Sequence, residues 1–166
     1  MPMRFGQLDY EIRQCEQHLD ATATRNTEVE NYLVRYLLVR ICAEYEARIR
    51  TLVQRRCLRI NDPHLLSFAN WGAEVAAKHF DISDLAGMLK KFGDDYKKTF
   101  HDAVNNKDCH RAWDNIYNNR LTVAHGNGMV LMTLGDLKTA YNDSLVVIDE
   151  LIKALCLRPR DIRGLK

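Results

Sequence analysis

Proline is nearly missing from this sequence, occurring only at positions 2, 63 and 159. Because proline lacks an N–H and clashes with the preceding turn, its scarcity leaves long helices uninterrupted between about residues 4 and 60 and between about 80 and 157. Long apolar runs are missing too. No stretch reaches the roughly 18 consecutive apolar residues of a membrane span, and the N-terminal MPMRFGQLDYEIRQ has no apolar core for a secretory signal. The five cysteines are odd in number, widely spaced and without a C-x-x-C, which argues against a disulfide scaffold or a zinc knuckle. Nor does one sign of charge dominate: 24 Lys+Arg face 22 Asp+Glu, so the chain is no polycation that would coat nucleic acid indiscriminately. Together these absences predict a soluble protein of the reducing cytoplasm with no membrane partner.

What is present is helical pattern. At 166 residues and 46% apolar content the chain has the size and core of one domain, spanning 1–166, with its core at about 4–157 and a basic tail at 158–166. Phe5, Leu8, Ile12, Cys15 and Leu19 recur at steps of three and four, the stripe of an amphipathic helix. Thr27 followed by Glu30 has the form of a capping box opening a second helix. In that helix Leu33, Leu37, Ile41, Tyr45, Ile49 and Leu52 form a stripe widened by Val34, Leu38 and Cys42, as expected of a central bundle helix. Asp62 and Pro63 read as the cap and first position of a short helix that Gly72 would end. Gly93, able to take the left-handed cap conformation, and the pair Asn105-Asn106 mark breaks between further helical pieces. Thr133 and Asp136 resemble a second capping box before a final helix carrying Leu137, Tyr141, Leu145, Ile148, Ile152 and Leu155. The fold expected is all-α, most simply an antiparallel bundle of four main helices with one or two short extra helices.

Chemistry-bearing residues are few. His101, Cys109 and His110 are the nearest approach to a metal cluster, and their spacing matches no common zinc pattern, so neither metal nor cofactor is expected. Arg48, Arg50, Arg55, Arg56 and Arg59 form a basic cluster that is either an RNA track or a solvated helix face. Trp71 and Trp113 can stack on bases, although burial is the expectation for both. The stretch NNRLTVAHGNG, from Asn118 to Gly128, places Arg120 and His125 five residues apart. In a straight helix such residues point about 140° apart, so convergence on one phosphate needs a backbone turn at Gly126 or Gly128, or a second copy of the chain. The pair suits metal-free RNA cleavage by the 2′-hydroxyl: an imidazole exchanges protons near neutral pH, and a guanidinium offsets charge on the phosphate. Spacing alone favours plain helix-end punctuation, with Arg near the C-terminal carbonyls and glycine after the last turn.

An R-x4-H pattern between two helices of an all-α chain, followed by glycine, resembles the signature of the HEPN superfamily of helical ribonuclease domains. RICAEYEARIRTLV, DLAGMLKKFGDDYKKTF and NNRLTVAHGNGMVLMTLGDLKTAYNDSLVVIDELIKAL resemble, in order, segments of the RiboL-PSP-HEPN class, covering most of residues 27–156. The resemblance implies a HEPN-like homodimer that joins two R-x4-H motifs. It also implies metal-independent endoribonuclease activity of the kind used in toxin–antitoxin and defence systems, with RNA as substrate and an antitoxin or another protein as further partner. Carried over by position, Arg120 and His125 match the catalytic pair, and Glu46 matches an acidic position on the second helix. Glu46 then orients Arg120 or His125, or merely pairs with Arg50 at i+4. HEPN nucleases often carry a polar residue, commonly Asn, directly after the arginine, where this chain has Leu121; Asn119, Thr122 and Asn127 are the polar neighbours able to support the site. Arg48, Arg55, Arg56 and Arg59 are the candidate substrate-binding residues. The alternative is a non-catalytic HEPN-like dimerising module that binds RNA, a nucleotide or a protein partner.

Overall fold

Helices supply all the regular structure of a computed structural model that describes residues 4–76, 80–126, 130–158 and 161. In chain order these are α1 (Gly6–Thr22), α2 (Glu28–Cys57), α3 (Pro63–Ala76), α4 (Ile82–Lys90), α5 (Asp94–Val104), α6 (Asp108–His125) and α7 (Leu134–Ala154). The all-α expectation is met, with three shorter helices, α3 to α5, where one or two were expected. The stripe of α1 buries Leu8, Ile12, Cys15 and Leu19. The central role of α2 also holds, since it packs on α1, α3, α6 and α7.

The two capping boxes came out differently. At α7 the box is complete: Thr133 Oγ1 accepts from the Asp136 N–H and the Asp136 carboxylate accepts from the Thr133 N–H. At α2 only the threonine half forms, Thr27 Oγ1 accepting from the Val29 N–H. Glu30 turns inward instead. Buried, it accepts from the Asn26 N–H (2.6 Å) and from the Leu134 N–H (2.8 Å), tying the start of α2 to the start of α7. Beside it Asn31 Nδ2 donates to the Val130 carbonyl at 2.8 Å. Val130 and Leu134 are thereby anchored to α2, because two otherwise orphaned backbone groups are satisfied by its side chains.

An aromatic stack joins α2 to α6. Tyr45 and Trp113 lie face to face at 4.5 Å, the Tyr45 hydroxyl bonds Ser144 Oγ at 2.6 Å, and Trp113 Nε1 donates to the Phe80 carbonyl at 2.7 Å. Each buried polar tip has a partner, the condition for placing Tyr and Trp in a core. Asp62 caps α3 as expected, its Oδ1 accepting from the His64 and Leu65 N–H groups. Gly72 does not end that helix, which continues to Ala76 because an isolated glycine weakens a helix without breaking it. Trp71 also departs from expectation: it is 60% exposed, beside Phe68 at 68%, on the outer face of α3. Gly93 does separate α4 from α5, but with φ 138° and ψ 157°, outside the left-handed helical region and open essentially to glycine alone. No helix among the described residues is long and apolar enough to cross a membrane.

Candidate functional site

Helix α6 sets the direction of every motif residue up to Gly126. Cys109, Ala112, Trp113 and Ile116 bury one of its faces. The helix runs without a break through His125, and Gly126 follows in the left-handed conformation (φ 66°, ψ 9°) with its N–H on the Val123 carbonyl. Gly126 therefore ends the helix as the sequence suggests, but too late to turn His125 toward Arg120. Within one chain the two side chains leave α6 about 140° apart. His125 is exposed at the open end of the helix.

Arg120 points back to α2. Its Nη2 lies 3.5 Å from Glu46 Oε1, with the two side chains 33% and 26% exposed. Of the roles open to Glu46 in the sequence, contact with Arg120 is the one the geometry supplies. One turn earlier on α2, Cys42 is buried, and its thiol is pushed up to about 12 by that burial; nearby Arg120 pulls it down and Glu46 pushes it up. The guanidinium thus sits at the edge of the core with a carboxylate on one side and a neutral thiol below. Sequence reading placed Cys42 in the apolar stripe of α2 but not beside the motif, although its i−4 spacing from Glu46 on one helix face was a readable signal.

The other polar neighbours turn to their own helix. Asn119 Nδ2 donates to Asn115 Oδ1 (2.7 Å) and to the Asn115 carbonyl (2.8 Å), and Thr122 Oγ1 donates to the Asn118 carbonyl at 3.2 Å. Neither reaches Arg120 in these contacts. Leu121 is partly buried, and the helical register puts it on the same face as His125. Asn127 and Gly128 lie outside the described residues.

The candidate arginines on and just after α2 each have contacts of their own. Arg48 is buried with its guanidinium 4.8 Å above the Phe5 ring, and its Nη1 has no hydrogen-bond partner among the described residues. Arg55 Nη1 donates to the Asp161 carbonyl (2.9 Å), and Arg56 Nη2 donates to the Tyr96 hydroxyl (2.6 Å). Arg59 Nη2 bonds both the Cys156 carbonyl and Asp161 Oδ2, each at 2.9 Å. Asp161 is held down to about 2 by the Arg158 N–H and by Arg59, so the start of the tail is fastened to the end of α2. Arg55, the nearest of these three to Glu46 in sequence, is still about 13 Å farther along the axis. In these contacts Arg48 and Arg56 serve packing, and Arg55 and Arg59 hold the start of the tail.

Among the described residues no group of three or more His, Cys, Asp or Glu side chains is arranged to hold a metal ion. Cys109 is buried, while His101 and His110 line a cleft between α4, α5 and α6 that the sequence reading did not find. Its signal was the i, i+4, i+8 series His110, Asp114, Asn118 on α6. No curated protein and no solved structure matches the chain. The model of the RiboL-PSP-HEPN family, by contrast, matches residues 6–157, nearly the whole length. With its helical fold and an arginine–histidine motif at the end of α6, the chain belongs to the RiboL-PSP-HEPN family.

Proposed function

We propose that this protein is a metal-independent endoribonuclease whose site is completed by a second copy of the chain. The observation that carries the reading is the fixed divergence on α6: Arg120 is drawn to Glu46 while His125 faces solvent about 140° away. A single chain offers a phosphate only one of the two groups, whereas two chains related by a twofold axis present two arginines and two histidines around one cleft. In that site one His125 removes the proton of a 2′-hydroxyl, which attacks the adjacent phosphorus. The other protonates the departing 5′-oxygen, leaving a 2′,3′-cyclic phosphate and a 5′-hydroxyl. Arg120, positioned by Glu46, holds the non-bridging oxygens as negative charge develops. Family membership supports RNA as substrate, and a toxin–antitoxin or defence setting with a neutralising protein partner accompanies the proposal.

Incubating the purified protein with RNA in EDTA tests it, beside Arg120→Ala and His125→Ala. Wild type should cleave and both variants should lose at least about 10²-fold in rate. Equal cleavage by all three, or none by wild type, overturns it. A second reading draws on Leu121, which cannot donate a hydrogen bond to substrate: a dimerising module that binds RNA or a nucleotide without cutting it. RNA retained by wild type with no cleavage product is the outcome that selects it.

A further inference from the structure

The cleft between α4, α5 and α6 is lined by neither Arg120 nor Glu46, although its Tyr117 lies close enough to feel the Arg120 charge. Its volume of about 580 Å³ falls within the range of small-ligand sites. Two carboxylates stand in its wall; hydrogen bonds engage both, and the Asp81 charge still helps push the Asp114 carboxyl and the Tyr117 phenol up. Asp114 accepts from His110 Nε2 at 3.1 Å and from the Ile82 N–H, while Asp81 Oδ1 caps α4 through the Asp84 N–H at 2.7 Å. Lys97 and His101 from α5 and His110 from α6 are the cationic or cation-capable groups on the lining. His101 Nδ1 lies 3.8 Å from Oδ1 of the exposed Asp102. Asp114 accepts from His110 Nε2, which leaves Nδ1 of the neutral ring as an acceptor for a hydroxyl or amine of a ligand.

The remaining lining suits a base. Tyr117 is held edge-on by Phe80, with centroids 4.9 Å apart, yet is only partly buried, and Asn118 follows it on the open side of α6. A ring for stacking beside an amide that both donates and accepts is the usual equipment for an unpaired base. Burial raises the Tyr117 phenol, so its hydroxyl remains a donor at neutral pH.

The cleft is also in line with the motif. From Asn118 to His125 is seven residues, which returns to the same face within about 20° and advances about 10 Å along the axis. We infer that the cleft is a nucleotide subsite, in which Lys97 and His101 hold a phosphate, His110 Nδ1 accepts from a ribose hydroxyl, and Tyr117 and Asn118 receive the base. It grips RNA laid along α6 beside the bond cut at His125. Leu121, between the two on that face, lies under the connecting nucleotide as an apolar contact. The inference rests on the nuclease reading for its place in catalysis, but its binding chemistry can be tested without any cleavage.

The experiment is titration of the dimer, followed by NMR, with the four ribonucleoside 5′-monophosphates, with the corresponding nucleosides and with inorganic phosphate. The monophosphates should perturb the His101 and His110 rings and the Asn118 amide. Lys97→Ala and His101→Ala, both at exposed positions, should each weaken that binding about tenfold. On longer RNA the same variants should raise KM about tenfold and change kcat less than twofold. Monophosphate binding without RNA cleavage would sink the nuclease and leave the subsite standing. Cleavage with unaltered KM in both variants, and no monophosphate shifts in the cleft, would sink the subsite and leave the nuclease. Equal binding of inorganic phosphate alone would overturn the base-reading half of the inference.

Discussion

Glu46 and Arg120 are both about one-third exposed or less, and at 3.5 Å their contact is a long ion pair. A pair of this kind contributes under about 1 kcal/mol to stability, so its use is to aim the guanidinium. Glu46→Gln is therefore expected to shift Tm by no more than about 2–4 °C. The same change should slow RNA cleavage by about tenfold or more, since misplacing a positioned group by an ångström is enough for that. A thermal melt beside a cleavage time course checks both. Cysteine reactivity tests the surroundings of the same pair. Cys15, Cys42, Cys57 and Cys109 are buried and Cys156 is exposed, and burial pushes Cys42 up to about 12, far from the reactive thiolate. Ellman's reagent should find one fast thiol in the native protein and five in denaturant. A fast-reacting Cys42 would mean that the floor beneath Arg120 is open.

At the scale of elements, the helix ends carry the testable energetics. Removing the complete cap at α7 by Thr133→Ala should cost about 1 kcal/mol, measured by urea denaturation, because it leaves a first-turn N–H without its partner. Helix α1 is stapled to α2 by Glu11, which accepts from Arg40 Nε at 3.1 Å, and that bond is the main cause holding the Glu11 carboxyl below its usual 4.5. The folded value is depressed, so the contribution is complete above about 4.5 and fades as pH falls through the lower folded value. Glu11→Gln should lose stability near neutral pH and flatten the acid limb of the stability curve. The boundaries of α6 and α7 were legible because a cap and a periodic stripe act within a few residues. Glu30 was not, since its partner at Leu134 comes from a helix 104 residues away and local spacing carries no trace of it. Trp71 was misread for a similar reason: apolar character raises the chance of burial, but only the packing of α3 decides which face meets the core.

For the whole molecule, the motif was legible as residue types and spacing, whereas its geometry was not. Sequence left open whether a glycine turn, a second chain or neither would bring Arg120 and His125 together, and the unbroken α6 removes a turn at Gly126 from that choice. The α2 arginines show the converse limit, because a run of like charges in sequence gives no warning that the fold spends Arg55, Arg56 and Arg59 on the tail and on Tyr96. A site shared between copies has a signature that no single-chain site shares. Wild-type chains can be paired with chains carrying both Arg120→Ala and His125→Ala, the mixed dimer isolated by two affinity tags, and its RNA cleavage measured in EDTA. A composite site predicts that this dimer, with one arginine and one histidine from the same chain, falls below about one-tenth of wild-type activity. Retention of about half the wild-type rate, as two independent sites would give, would contradict it.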